Sequence, residues 1–372
     1  MKIKDVNIVL CEKVVYGDIT FDETIISIKE KGGFKRGAPI LTPGFIDGHI
    51  HGSAGIDVLD GTVEAIEVMA LSLVKEGTTS FYPTPMTQSD DVIIKSMESI
   101  SSYYQNQNKK AAQVVGIHLE GPFFNVDARG AQPKEYIKNP DIELFKRYQK
   151  ASNNLIKKVS VAPELPGSIE FIKYLVQENI MPSLAHTKST YETALKAYHA
   201  GAKSLTHTYN AMTPIHHRDI GVVGLAYTEA IMCELIYDKI HVSPLAAKLL
   251  IKNASTNRVM LITDAMRNKG LPDGVSEIGG QKVIVKNGEA RLENGSLAGS
   301  ILKMIDGYKH LKELGYNYVQ LAKLTSTNAA RHFKLNDRGA IKPGYRSDFV
   351  LLDKDLNILA TYIQGEKVFS NQ

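Results

Sequence analysis

GFIDGHIH (44–51) is a short apolar run that closes on a His-x-His pair, and runs of the same β-rich character recur along the chain. They are GTTSFYPT (77–84), QVVGIHLE (113–120), KKVSVAPE (157–164), IMPSLAHT (180–187), KSLTHTYN (203–210), AIMCELIY (230–237) and RVMLITDA (258–265). Amphipathic stretches separate them. Between the first two, Val63, Ile66, Ala70, Leu73 and Val74 fall at helical spacing, and Gly77 sits where a helix stops. Before the last, Ser243-Pro244 supplies an N-cap followed by proline at the first helical position, ahead of Leu245, Leu249 and Leu250. Two more helical patterns, near 301–314 and 318–333, follow the eighth run. Strand–helix alternation of this kind predicts a parallel sheet with helical crossovers, and eight repeats predict an α/β chain folded as a (β/α)8 TIM barrel.

The ends read differently. Residues 1–43 and 339–372 carry short alternating strands, so one small β-sandwich domain is expected from both termini, flanking a barrel domain over 44–338. Residues 275–296 read as a hairpin-like excursion with turns at Gly279-Gly280 and Asn287-Gly288.

At 372 residues, 43% hydrophobic and 23% charged, the chain is expected to bury a substantial core. A formal charge of +4, with Lys and Arg spread out, gives no nucleic-acid footprint. No run approaches the length of a membrane span, so a cytoplasmic protein is expected. Cys11 and Cys233 lie far apart in apolar contexts and are expected to be buried, reduced thiols.

The chemistry-bearing residues fall where such a barrel builds its site. His49, His51, Glu120, His186, His207 and Asp264 all lie at or near the C-terminal ends of the runs, which surround one mouth. His49 and His51 are two apart on a strand and leave the same face, so they can hold one ion together. Taken singly, each has a blander reading: packed histidines, a helix-capping Glu, an N-cap Asp. Their convergence favours a metal centre. A carboxylate can bridge two cations, and neutral imidazole with carboxylate suits Zn²⁺ or Fe²⁺ better than Mg²⁺ or Ca²⁺. Glu120, His186 and His207 would hold one ion with a position left for water. Asp264 would then move a proton between that water and a leaving group.

The strings PGFIDGHIHG, HLEGPF, LAHT, LTHTYNAM, ITDAM, LAGS and NAAR, in this order over nearly the whole chain, resemble the N-acetylglucosamine-6-phosphate deacetylase family of the amidohydrolase superfamily. The resemblance implies a barrel of the amidohydrolase type and a metal-dependent hydrolase. Glu120, His186 and His207 are implied as ligands of the principal ion, and Asp264 as general acid/base. His49 and His51 imply a second ion bridged by Glu120, so one or two divalent ions per subunit are expected. Around an amino-sugar phosphate the resemblance implies Asn210, Ala211, His241 and Arg218, the last reaching across from the neighbouring subunit of a homodimer. One departure stands out: some members carry His twelve residues after the bridging Glu, where this chain has Gln132, expected to touch substrate. Gln donates through its amide but cannot be cationic. His118 is expected to pack away from the site, and His216 and His217 to lie in an exposed loop. The alternatives are deacetylation of the galactosamine epimer, and a metal-bearing sugar-phosphate binding protein without catalysis.

Overall fold

The computed structural model describes residues 1–371 as a mixed α/β molecule. Phe45–Ile50 pairs in parallel with Thr78–Pro83, which pairs with Gln113–Val114. The strands Ile117–Glu120, Ile156–Val161, Met181–Leu184, Ser204–Leu205, Met232–Ile236 and Val259–Ile262 form a second parallel sheet in chain order. The third run is thus split, its first half bonded to one sheet and its second to the other. Single parallel bridges, Ile50 to Ala265 and Met86 to Glu120, join the sheets on either side. All eight runs are therefore parallel and end on the same side. Every residue of Phe45–Ile50 and Thr78–Pro83 is buried, as expected of strands covered on both faces.

The helices start where their caps predict. Thr62 accepts from the Ala65 N–H at the head of Val63–Leu73, whose inner face buries Ala65, Ile66, Met69, Ala70 and Leu73. Ser243 accepts from the Ala246 N–H ahead of Pro244–Ala254. The late helical patterns become Met304–Glu313 and a continuous helical stretch over 318–332, whose middle turn, Lys323–Thr327, widens to π spacing. The excursion is a three-stranded antiparallel sheet, Gly274–Ile278, Gln281–Lys286 and Glu289–Leu292. Its turns hold Gly279 and Gly280 at φ 54° and 79°, and Asn287 and Gly288 at φ 53° and 85°. Positive φ at both central residues matches the twist of a hairpin, which is why Gly and Asn occupy these places.

Strands from both termini share one seven-stranded sheet in the order Glu366–Ser370, Ile358–Ile363, Phe349–Leu352, Ile40–Pro43, Lys2–Val9, Val14–Phe21, Ile25–Gly33. It is hydrogen-bonded continuously from edge to edge. Val6, Ile8, Val15, Ile19, Phe21, Leu41 and Phe349 form its core, with the Phe21 and Phe349 rings meeting edge-on at 5.2 Å. Cys11, expected to be buried, is exposed, because it falls in the turn after the first strand; Cys233 is buried as expected.

Gly44 N–H donates to Asp348 O, so the terminal sheet leads directly into the first parallel strand. The next residue, Phe45, is fully buried against Tyr308 at 5.4 Å between ring centroids. Phe45→Ala should destabilise the fold by about 3–5 kcal/mol, the usual cost of removing a buried aromatic ring. Urea unfolding of the variant beside the parent protein measures this.

Candidate active site

Six side chains from five strand ends meet at the rim. His49 and His51 alternate out of Phe45–Ile50 and the residue after it, Glu120 closes Ile117–Glu120, and His186, His207 and Asp264 each lie two residues past their strands. The last three hold left-handed backbone, at φ 44°, 33° and 49° respectively. Side chains other than Gly adopt this region at a cost of about 1–3 kcal/mol each, and such strain gathers at functional sites. Gly121, next to Glu120, is required for a similar reason: at φ 102°, an added Cβ would lie 2.1 Å from Thr87 Oγ1.

Glu120 is the hub. Its Oε1 lies 3.1 Å from His207 Nε2, 3.4 Å from His186 Nε2 and 3.5 Å from His49 Nε2, and its Oε2 lies 3.3 Å from His51 Nε2. Asp264 Oδ1 stands 2.9 Å from His51 Nε2 and 3.5 Å from His49 Nε2. Two groups of side chains able to hold an ion result, Glu120 with His186 and His207, and His49 and His51 with Asp264.

The tautomers support this use. His51 Nδ1 faces Thr84 O at 2.7 Å and His186 Nδ1 faces Ala128 O at 2.9 Å. A carbonyl only accepts, so each Nδ1 carries the hydrogen and each Nε2 presents a bare lone pair. Yet His186 Nε2 and His207 Nε2 are 3.1 Å apart, and His49 Nε2 and His51 Nε2 are 3.3 Å apart. Each pair is close enough for one ion to take a lone pair from both rings. Electrostatics agree. Burial opposes a charge on His49, but the Asp264 and Glu120 carboxylates override it and push its pKa up to about 10. Burial would likewise raise Asp264, and the imidazoles of His49 and His51 bring it down to about 2. Glu120 is held well below the usual carboxylate range against its own burial, chiefly by His49. The same carboxylates that hold a proton on His49 would hold a divalent ion in its place.

Above the hub opens a cavity of about 540 Å³. Asn210, Ala211, His241 and Gln132 line it, as the sequence suggests. Arg218 does not. It lies exposed in the loop with His216 and His217, its guanidinium 2.9 Å from His217 Nε2. Gln132 also bonds to the hub: Nε2 donates to Glu120 Oε2 at 2.9 Å and Oε1 accepts from Thr87 N at 2.9 Å, so it steadies that carboxylate. His241 Nδ1 is 2.6 Å from Asp238 Oδ2, which orients its other nitrogen.

His118 does not turn away from the site. Its ring stands 4.5 Å from that of His49, beneath the hub, with Nε2 2.7 Å from Ser160 Oγ. Sequence reasoning also passed over Glu234 and Lys158, an ion pair with both partners fully buried under the site. A charged residue inside an apolar strand, as in MCELI, is the signal that could have found them. Two cations at the cavity, Lys188 and Arg291, were missed as well.

The sequence and the fold are similar to those of known proteins. The model of the amidohydrolase family matches residues 40–368. The N-acetylglucosamine-6-phosphate deacetylase of Bacillus subtilis (strain 168) is 42% identical over 335 residues, 89% of this chain and 85% of that protein. The crystal structure of N-acetylglucosamine-6-phosphate deacetylase from Thermotoga maritima superposes with a TM-score of 0.93 at 33% identity, covering 100% of both chains. A mutant of the Mycobacterium smegmatis deacetylase, in complex with N-acetyl-D-glucosamine-6-phosphate, gives a TM-score of 0.93 at 26% identity, covering 100% of this chain and 99% of that one. With a family match over most of its length and a metal-type ligand set at its strand ends, this chain belongs to the amidohydrolase family.

Proposed function

We propose that this protein hydrolyses N-acetyl-D-glucosamine 6-phosphate to D-glucosamine 6-phosphate and acetate. The observation that carries the reading is Glu120, one carboxylate facing four imidazole Nε2 atoms with Asp264 beside them. The similarity to deacetylases at 42% and 33% identity supports the substrate. A divalent ion held by Glu120, His186 and His207, with a second at His49, His51 and Asp264, would supply Lewis acidity and bring the pKa of bound water towards 7. Zn²⁺ or Fe²⁺ suits this donor set. Asp264, ionised at neutral pH, accepts the proton of the water that adds to the acetyl carbonyl, and returns it to nitrogen as the C–N bond breaks. An amine leaves only when protonated, so this transfer is the step the carboxylate serves.

The phosphate end belongs with Asn210, Ala211 and His241. His207, Tyr209 and Ala211 have positive φ, at 33°, 83° and 51°, with ordinary residues between them. Such alternation turns backbone N–H groups to one side and favours anions. Arg218, exposed and absent from its own cavity, suits the reading that it serves the neighbouring subunit of a homodimer. In the same reading the two parallel sheets close into one eight-stranded barrel over 44–338, with the terminal sheet as a second domain. No helix among the described residues is long and apolar enough to cross a membrane, and the two cysteines are unpaired, which suits the cytoplasm.

Acetate release from N-acetylglucosamine 6-phosphate, paired with elemental analysis of the purified protein, tests this reading. A protein that binds the sugar phosphate and releases no acetate would be a binding protein instead. A side-by-side kcat/KM comparison with the galactosamine epimer decides between the two sugars.

Lys188 bears on specificity. It lies between two ties to the 211–213 segment, Thr187 N to Ala211 O at 3.0 Å and Thr213 Oγ1 to Ser189 O at 2.7 Å. Its ammonium has no hydrogen bond or ion pair among the described residues, whereas Arg291 is engaged by Glu289 and Gly295 O. Lys188→Met should raise KM for the phosphorylated sugar about tenfold, as loss of one charge-assisted contact implies, and leave kcat nearly unchanged. Steady-state kinetics with and without the 6-phosphate measure it.

A further inference from the structure

We infer that Glu234 is a positioning residue that ties the two halves of the metal centre together, one carboxylate fixing both the ring of His49 and the backbone of His207. The inference rests on the reading that the centre holds divalent ions. Glu234 Oε2 lies 3.3 Å from His49 Nδ1 and 3.2 Å from His207 N, and its Oε1 pairs with the Lys158 ammonium. Glu234, Lys158 and His49 are all fully buried, so no water competes for these contacts.

Each contact has a distinct consequence. A carboxylate can only accept, so the Nδ1 of His49 must carry the hydrogen, and its Nε2 presents its lone pair towards Glu120 and Asp264, 3.5 Å from each. Holding a ligating imidazole in one tautomer and orientation is what outer carboxylates do in metal sites. The backbone contact acts on the other ligand set. His207 sits at φ 33°, a conformation His adopts only under constraint, and Glu234 holds its N–H there. Lys158 compensates the charge and keeps the carboxylate buried without an orphaned anion.

His49, His118 and Glu234 also lie close enough together to ligate an ion of their own. The chemistry argues otherwise: Lys158 already holds Glu234, and His118 Nε2 is bonded to Ser160 Oγ. A cation there would face an ammonium group. Glu234 therefore serves the ions above it through their ligands.

The test is zinc binding by the purified full chain against a competing chelator, with nitrogen NMR of the histidine rings in the zinc-loaded protein. Glu234→Gln should weaken zinc at the His49–His51–Asp264 set by about 10–100-fold and the Glu120–His186–His207 set by less. His49 should lose its single Nδ1–H tautomer. Should the lone Lys158 ammonium prevent folding, Glu234→Gln combined with Lys158→Met removes both charges and carries the same expectation. Zinc affinity within threefold of the parent protein, with the His49 tautomer unchanged, overturns the inference even if melting temperature falls. A parent protein that binds no zinc would instead overturn the reading of the centre.

Discussion

Asp264→Asn should lower kcat for deacetylation by about 10²–10⁴-fold, the range spanned by general acid–base catalysis, while the fold and the ion held by Glu120, His186 and His207 remain those of the parent protein. The replacement is nearly isosteric. Asn is among the few residues that accept left-handed backbone readily, so the φ of 49° is kept. An amide oxygen can still face the His51 Nε2 region, where Asp264 Oδ1 now stands at 2.9 Å. What disappears is the ability to take a proton at neutral pH and give it up again. Because the imidazoles of His49 and His51 bring the Asp264 pKa down to about 2 against its burial, the parent carboxylate enters the reaction ionised, as a base. Rates measured on protein with confirmed metal content decide the matter; turnover near that of the parent would remove Asp264 from the reaction.

Glu120→Gln should have the other large effect, and on binding rather than on proton transfer. Glu120 lies within 3.5 Å of all four imidazoles, so its loss leaves their lone pairs converging on a neutral amide. The new amide N–H₂ would also face donors, since Gln132 Nε2 already donates to Glu120 Oε2. Changes one step outside a metal site cost about 10–100-fold in affinity, and loss of the shared ligand should exceed that at both ion positions. Metal content after dialysis, with acetate release, checks this. A variant that keeps two ions and full activity would show that Glu120 is not the hub.

Much of the site was legible before any coordinates. His-x-His at a strand end, Glu before Gly-Pro and Asp264 at the end of the eighth run stand out because polar residues at the tips of apolar runs are unusual, and all were found together. The less legible parts share a cause. KSLTHTYN reads as a full strand, yet only Ser204–Leu205 is one, because His207 and Tyr209 adopt positive φ, which ends the extended pairing. His118 looked like packing, yet strand alternation puts it, two residues before Glu120, on Glu120's face, and it lies against His49. Gln132 lines the cavity, as a substrate contact would, and its further bonds to Glu120 and Thr87 could be seen only in the folded chain.

Local sequence determined the identity and order of the strands and helices, because apolar period and cap chemistry act over a few residues. It also determined which side chains have metal chemistry available, since that is a property of residue type. Tertiary structure alone decided which of them meet. Glu234 reaches His49 across 185 residues and Glu120 reaches His207 across 87, and such pairings depend on the register of distant strands. It decided too that Lys158 is neutralised by Glu234 and that Arg218 stays outside its own cavity, because burial and charge balance are settled only when the whole chain packs.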